Sequence, residues 1–169
     1  MYQTLIAAVT VGAGGTTSIA FNAIPQTYTD LVLVYSAYNT AAVLFNNDTG
    51  GNYSQRVLRG SGTAVTSTTS TNVSSGIQIA IQNSTSDLMN SATTIPNYAG
   101  STTKTVSVDM VGERNFSAAV QAIIAGRWTG TAAITSIRIE WSGSTYPQGS
   151  TAYLYGTLKG SGGATVTSS

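Results

Sequence analysis

Acidic side chains are the groups in this sequence that could do acid–base chemistry, and there are few of them. The chain of 169 residues holds six Asp and Glu residues and neither histidine nor cysteine. The absence of imidazole and thiol groups excludes Ser-His and Cys-His nucleophiles and thiolate metal sites. A Ser–Lys arrangement would need Lys104 or Lys159 buried beside a serine, and no local pattern marks either lysine.

One short motif, Asp48-Thr49-Gly50, matches the triplet of aspartic proteases. That chemistry needs two carboxylates that share a proton, which a single triplet reaches only through an internal repeat or a dimer. A turn rich in Asn, Asp and Gly between Phe45 and Tyr53 explains the same residues and is favoured. The loop from Asn46 to Asn52 could also hold calcium through its oxygens, although it lacks the several carboxylates of a tight site.

Two pairs of charged residues have a spacing that could serve sugar hydrolysis: Asp109 with Glu113, and Arg138 with Glu140. Arg138 and Glu140 alternate along one strand face, which is typical of a solvated pair of opposite charges. Asp109 falls on a polar strand face, and Glu113 follows a glycine in a turn. The sequence therefore predicts no catalytic residue, no cofactor and no transition metal. Any bound metal would have oxygen ligands only, which favours calcium or magnesium.

Aromatic residues could instead form a surface for sugars or for a second subunit. The alternation of the strand that contains Ile137 and Ile139 places Trp141 in the core with them. Tyr153 and Tyr155 lie on the polar face of the last strand. The candidate subunit or glycan contacts are therefore Tyr153, Tyr155 and Tyr146.

Strands must position these side chains, because the hydrophobic period is two almost throughout the chain. Residues 31–35 are apolar on both faces, which predicts a central strand covered on both sides. Residues 118–128 could form a short helix, but their β-branched and aromatic residues favour a strand. One sandwich core is predicted to bury Ile77, Ile79, Ile81, Val106, Val108, Ile137, Ile139 and Leu154.

The predicted fold class is all-β: a single jelly-roll-like β-sandwich of about eight to ten antiparallel strands over residues 1–159. Residues 3–9, 16–21, 42–46 and 53–58 supply further strands. The Ser/Thr-rich stretch 61–75 and the weakly periodic stretch 83–103 are either long loops or edge strands. Residues 160–169 form a flexible Gly/Ser/Thr tail.

The charge content points away from several classes of partner. Only 8% of the residues are charged and the net charge is +1, whereas about a quarter of residues are charged in ordinary domains. Nucleic acid would need clustered Lys and Arg, and a membrane span would need a long apolar run. No basic segment of a signal peptide precedes the first strand. Neutral hydroxyl and amide surface suits contacts between copies of the chain, so we expect a homo-oligomer.

A series of turn and strand signatures between positions 20 and 158 resembles a group of small virion structural proteins of tailed bacteriophages. The resemblance lies in this order of segments: Ile24-Pro25-Gln26-Thr27-Tyr28-Thr29-Asp30-Leu31-Val32-Leu33, Leu44-Phe45-Asn46-Asn47-Asp48-Thr49-Gly50-Gly51-Asn52-Tyr53-Ser54, Ile95-Pro96-Asn97-Tyr98, Ala132-Ala133-Ile134-Thr135-Ser136-Ile137 and Ala152-Tyr153-Leu154-Tyr155-Gly156.

The resemblance implies a jelly-roll-like sandwich, self-association (often as a trimer), and a place on the exterior of the particle after synthesis in the bacterial cytoplasm. The function it implies first is that of a capsid decoration or cement protein, whose partners are its own copies and the major capsid protein or another virion protein. A tail or head fibre module that binds host-surface glycans is the alternative, and a small hydrolase is the third.

Overall fold

The computed structural model describes residues 3–81, 88–112, 119–143 and 145–158, and every helix-or-strand element in these ranges is a β-strand. This confirms the all-β prediction, with more strands than expected. The twelve strands are β1 (Gln3–Thr10), β2 (Ser18–Phe21), β3 (Asp30–Ala37), β4 (Ala41–Phe45), β5 (Tyr53–Ser61), β6 (Ala64–Val73), β7 (Ile77–Ala80), β8 (Met89–Pro96), β9 (Lys104–Gly112), β10 (Val120–Trp128), β11 (Ile137–Glu140) and β12 (Thr151–Thr157).

The strands form two antiparallel sheets that share one core. The large sheet has eight strands in the order β1-β12-β3-β8-β9-β10-β5-β6, and the small sheet has four in the order β2-β11-β4-β7. The inner faces of the two sheets pack against each other, and Ile77 of β7 lies directly over Gly126 of β10. The molecule is therefore a β-sandwich whose large sheet is twice as wide as its small one.

The jelly-roll character lies in four nested antiparallel pairs. β1 pairs with β12, β2 with β11, β3 with β8, and β4 with β7. These eight strands give four to each sheet, which is the two-layer arrangement of a jelly roll. The remaining strands, β9, β10, β5 and β6, extend the large sheet beyond β8.

The predicted core is confirmed with one difference. Seven of the eight named side chains are at most 4% exposed, and Ile81, which follows the end of β7, is only partly buried against the core. Alternation explains this result. In β9 and β10 every second residue is buried and its neighbours are exposed, as a sheet with one covered face requires. Residues 120–128 form β10, so the helical alternative for that stretch is wrong.

The structure corrects one prediction about the exposure of a strand and decides between two alternatives for another segment. Residues 31–35 lie in β3, a central strand, but Val34 is 37% exposed because no described residue covers the outer side of the large sheet at this point. The stretch 61–75 is an edge strand rather than a loop, since it contains the whole of β6. β6 is exposed along nearly its whole length. Residues 83–87, Lys159 and the tail 160–169 lie outside the described residues.

Candidate functional site

The carboxylate of Asp48 is a structural acceptor. Its Oδ1 accepts hydrogen bonds from the Gly50 N–H at 2.9 Å and from Asn52 Nδ2 at 3.1 Å, and its Oδ2 accepts from Trp128 Nε1 at 2.7 Å. Burial raises the pKa of Asp48, but these hydrogen bonds outweigh burial and hold the pKa below its usual value. The triplet Asp48-Thr49-Gly50 is thus a turn that fixes the buried indole of Trp128, in line with the favoured interpretation.

Asn46, at the start of the same loop, accepts hydrogen bonds from backbone N–H groups through its side-chain oxygen. Asn46 Oδ1 accepts from the backbone N–H groups of Thr135 at 2.8 Å and Ser136 at 3.2 Å, and its Nδ2 donates to the carbonyl of Ala133 at 2.8 Å. A calcium ion bound through Asn46 Oδ1 would have to displace these N–H donors. Within the described ranges, no three acidic, histidine or cysteine side chains group together as a metal site.

Lys104 is a buried charged residue whose burial the sequence pattern does not predict. Its side chain is 1% exposed, and Nζ donates to the carbonyls of Thr102 at 2.6 Å and Gly100 at 2.7 Å, with Ala132 at 3.1 Å. Nζ also lies 5.9 Å from the ring centroid of Trp128. Burial lowers the pKa of the ammonium group. Because its partners are backbone carbonyls, Lys104 joins two loops at one end of the sandwich rather than activating a serine.

The acidic residues considered for sugar hydrolysis do not form a carboxylate pair among the described residues. Arg138 Nη2 donates to Glu140 Oε1 at 3.1 Å, and Arg138 Nε lies 2.9 Å from Glu140 Oε2. Both side chains are partly exposed, as expected of a solvated pair. Asp109 is exposed on the large sheet, and Glu113 lies outside the described residues.

Tyr146 is a wrong prediction as a contact residue, because it is fully buried. A bridge between Thr16 and Tyr146 ties its segment to the chain before β2, and its ring packs edge-on against Tyr35 with centroids 6.1 Å apart. Burial raises the pKa of its hydroxyl, and the nearby Glu140 carboxylate adds to this effect. Gly143, Pro147 and Gly149 around Tyr146 are typical of a loop at the surface, but the aromatic side chain of this loop points into the core.

Tyr153 and Tyr155 are half-buried on the outer face of the large sheet, the face turned away from the small sheet. Tyr153 belongs to a row of cross-strand partners, which we call the outer-face row, and Tyr155 pairs with Val32 beside it. The pairings run from Tyr153 to Val34, then to Ala92, Asp109, Ile123 and Leu58. Ile123 is 56% and Leu58 51% exposed. The row is mostly apolar and contains one charge, that of Asp109.

Trp141 is also placed differently from the prediction. β11 ends at Glu140, so the alternation stops one residue earlier, and Trp141 is only partly buried. It lines a cavity of about 500 Å³ together with Glu140 and the hydroxyl-bearing residues Thr17, Ser18, Ser75 and Thr145. We call this the Trp141 cavity. A tryptophan directly after a strand and before Ser-Gly is the signal that could have located it.

Comparison with known proteins gives no match to a protein-family model, to a curated protein or to a solved structure. The described part of the chain contains no helix long and apolar enough to cross a membrane. The outer-face row and the Trp141 cavity are surfaces of the described residues that could contact a partner or a ligand.

Proposed function

We propose that this chain is a non-enzymatic structural protein of a bacteriophage particle, a decoration or cement protein on the exterior of the head. It works as a homo-oligomer, with a trimer as the expected state, bound to the major capsid protein or another virion protein. The main observation in support of the proposal is that no described residue covers the outer face of the large sheet around Val34, Ile123 and Leu58.

The outer face has the chemistry of a protein contact surface. Val34, Ile123 and Leu58 expose apolar side chains along one row, and Tyr153 adds an aromatic ring. Contiguous apolar surface that carries few charges is typical of protein–protein contacts, where aromatic residues are enriched. A neighbouring copy that covers this face would remove the row from water.

The open edge of the large sheet supports the same assignment. β6 ends the sheet, and its ten residues are mostly exposed Ser and Thr, without lysine or proline to block further pairing. A neighbouring subunit can satisfy its free backbone groups. The sandwich topology and the resemblance to virion structural proteins add support, since both suit a module that is packed in many copies.

Two measurements test the proposal. Electron microscopy of purified particles should locate the protein on the outer surface of the head, and sedimentation of the isolated protein should show a concentration-dependent oligomer. Absence from the particles, together with a monomer at every concentration, would contradict the proposal. A position on a tail or head fibre would replace the decoration role with the second candidate, a receptor-binding module, which the Trp141 cavity favours.

A further inference from the structure

The two tryptophans of the chain have opposite environments. Trp128 is 3% exposed and its indole N–H donates to Asp48 at 2.7 Å, so its hydrogen-bonding capacity is used inside the fold. Trp141 is partly exposed at the wall of a cavity, and its indole N–H has no partner within the described residues. A large amphipathic ring that is not needed for core packing, and whose donor is free, is available to a ligand.

The carboxylate beside Trp141 is held in place. Arg138 contacts both oxygens of Glu140, at 3.1 Å and 2.9 Å, from the neighbouring outward position of β11. This contact neutralises the charge and fixes the side chain, while each oxygen keeps a lone pair that can accept a further hydrogen bond. Glu140 therefore presents a preorganised acceptor to the cavity.

We propose that the Trp141 cavity binds an uncharged saccharide, whose apolar C–H face stacks on Trp141 and whose hydroxyl groups donate to Glu140. Thr17, Ser18, Ser75, Ser142 and Thr145 also line the cavity, and their hydroxyl groups can exchange hydrogen bonds with the sugar. The inference deepens the second candidate function and does not depend on the first.

The composition of the cavity selects this ligand class over others. A phosphate or sulfate group would face the Glu140 carboxylate, which already has its cation in Arg138. A lipid or an apolar peptide would need several apolar contacts, and Trp141 is the one large apolar side chain among the lining residues. Sugars combine an apolar face with many hydroxyl groups, which matches one ring surrounded by acceptors and hydroxyls.

Nuclear magnetic resonance titration of the isolated protein tests the site. The probes are uncharged oligosaccharides of glucose, galactose, mannose and N-acetylglucosamine, with a sulfated oligosaccharide for comparison. At least one neutral probe should shift the indole N–H signal of Trp141, identified by its loss in Trp141→Phe, and should leave that of Trp128 unchanged. Trp141→Ala and Glu140→Gln should each weaken binding by about tenfold, which corresponds to the loss of one stacking or charged hydrogen-bond contact.

Matched controls separate the site from general effects. Tyr38→Ala removes an exposed aromatic ring outside the cavity, and Asp109→Asn removes an exposed carboxylate on the other sheet, so both should bind as the unmodified chain does. Trp141→Phe keeps an aromatic face and should retain part of the affinity. Equal binding by Trp141→Ala, tighter binding of the sulfated probe, or no shift with any neutral probe at millimolar concentration would each overturn the assignment, whatever the protein's place on a particle.

Discussion

At the scale of single residues, Asp48 and Lys104 take their roles from hydrogen bonds to uncharged groups, whereas Arg138 and Glu140 pair as opposite charges. Asp48 organises a turn and a buried indole, and Lys104 gathers backbone carbonyls from two loops. The sequence predicts the turn at Asp48, but it reveals neither the bond of Asp48 to Trp128 nor that of Lys104 to the Ala132 carbonyl, because these partners are distant in the chain. The sequence predicts Trp141 in the core and Tyr146 on the surface, whereas Trp141 is partly exposed and Tyr146 is buried. Both residues lie where strand alternation has ended.

We expect Asp48→Asn to destabilise the fold by about 1–2 kcal/mol at neutral pH, because the amide retains one acceptor oxygen and loses the charge. The pKa of Asp48 is lowered in the folded chain. Its stabilisation is thus complete above the unfolded pKa of about 3.9 and is lost as the pH falls through the lower folded value. Urea unfolding from pH 7 to pH 2 should show the difference between the two proteins shrinking below about pH 4.

Asp109→Asn is the matched control for that measurement, because it removes a carboxylate exposed on the outer face. It should change the free energy of unfolding by less than about 0.5 kcal/mol at neutral pH. A gap between Asp48→Asn and the unmodified chain that stays constant down to pH 2 would contradict the assigned role.

At the scale of elements, alternation in the sequence predicted the strands that face a single core. It succeeded for β7, β9, β11 and β12, where every second residue over most of the strand is apolar and buried. It left open whether β6 is a strand or a loop, because neither side of β6 is buried and its Ser and Thr residues therefore show no apolar alternation. It also could not reveal how far the large sheet extends past the small one, since that depends on pairing between distant strands.

The two sheets approach each other closely at Gly126 of β10. A Cβ atom there would lie 2.5 Å from Ile77 Cγ2 and 2.9 Å from Ile77 Cδ1. We expect Gly126→Ala to destabilise the fold by about 1–3 kcal/mol through overpacking. Replacing Ile77 by valine in the same chain should recover part of that loss, and chemical denaturation of the single and double variants measures both effects.

Gly60 of β5 supplies the comparison, since a Cβ atom there would meet its nearest neighbour, the Gln121 carbonyl oxygen, at 4.0 Å. Gly60→Ala should be neutral or slightly stabilising, because alanine restricts the unfolded chain without a clash. If the two alanine variants lost equal stability, backbone preference rather than sheet packing would explain the effect at Gly126.

At the scale of the whole molecule, the proposed assembly depends on the outer-face row. Ile123→Asp would place a second carboxylate directly across from Asp109. Because Ile123 is 56% exposed, the monomer should keep its fold, while association through this face should weaken by about tenfold or more. Sedimentation velocity across a concentration series measures the change.

Asn22→Asp adds the same charge at an exposed position directly after β2, in the small sheet and away from both the row and the β6 edge. This variant should associate as the unmodified chain does. If Ile123→Asp kept the association constant of the parent protein, the outer face would be excluded as the contact surface.

The nesting of the four jelly-roll pairs also governs how the chain reaches this structure. The innermost pair, β4 with β7, places Val43 opposite Ile77, whereas the outermost pair places Gln3 opposite Thr157. Each outer pair closes a longer loop, and topologies with such distant contacts fold slowly, on a scale of about milliseconds to seconds. Refolding should therefore proceed outward from β4 and β7, and the backbone amides of β1 and β12 should be the last to gain protection from hydrogen exchange.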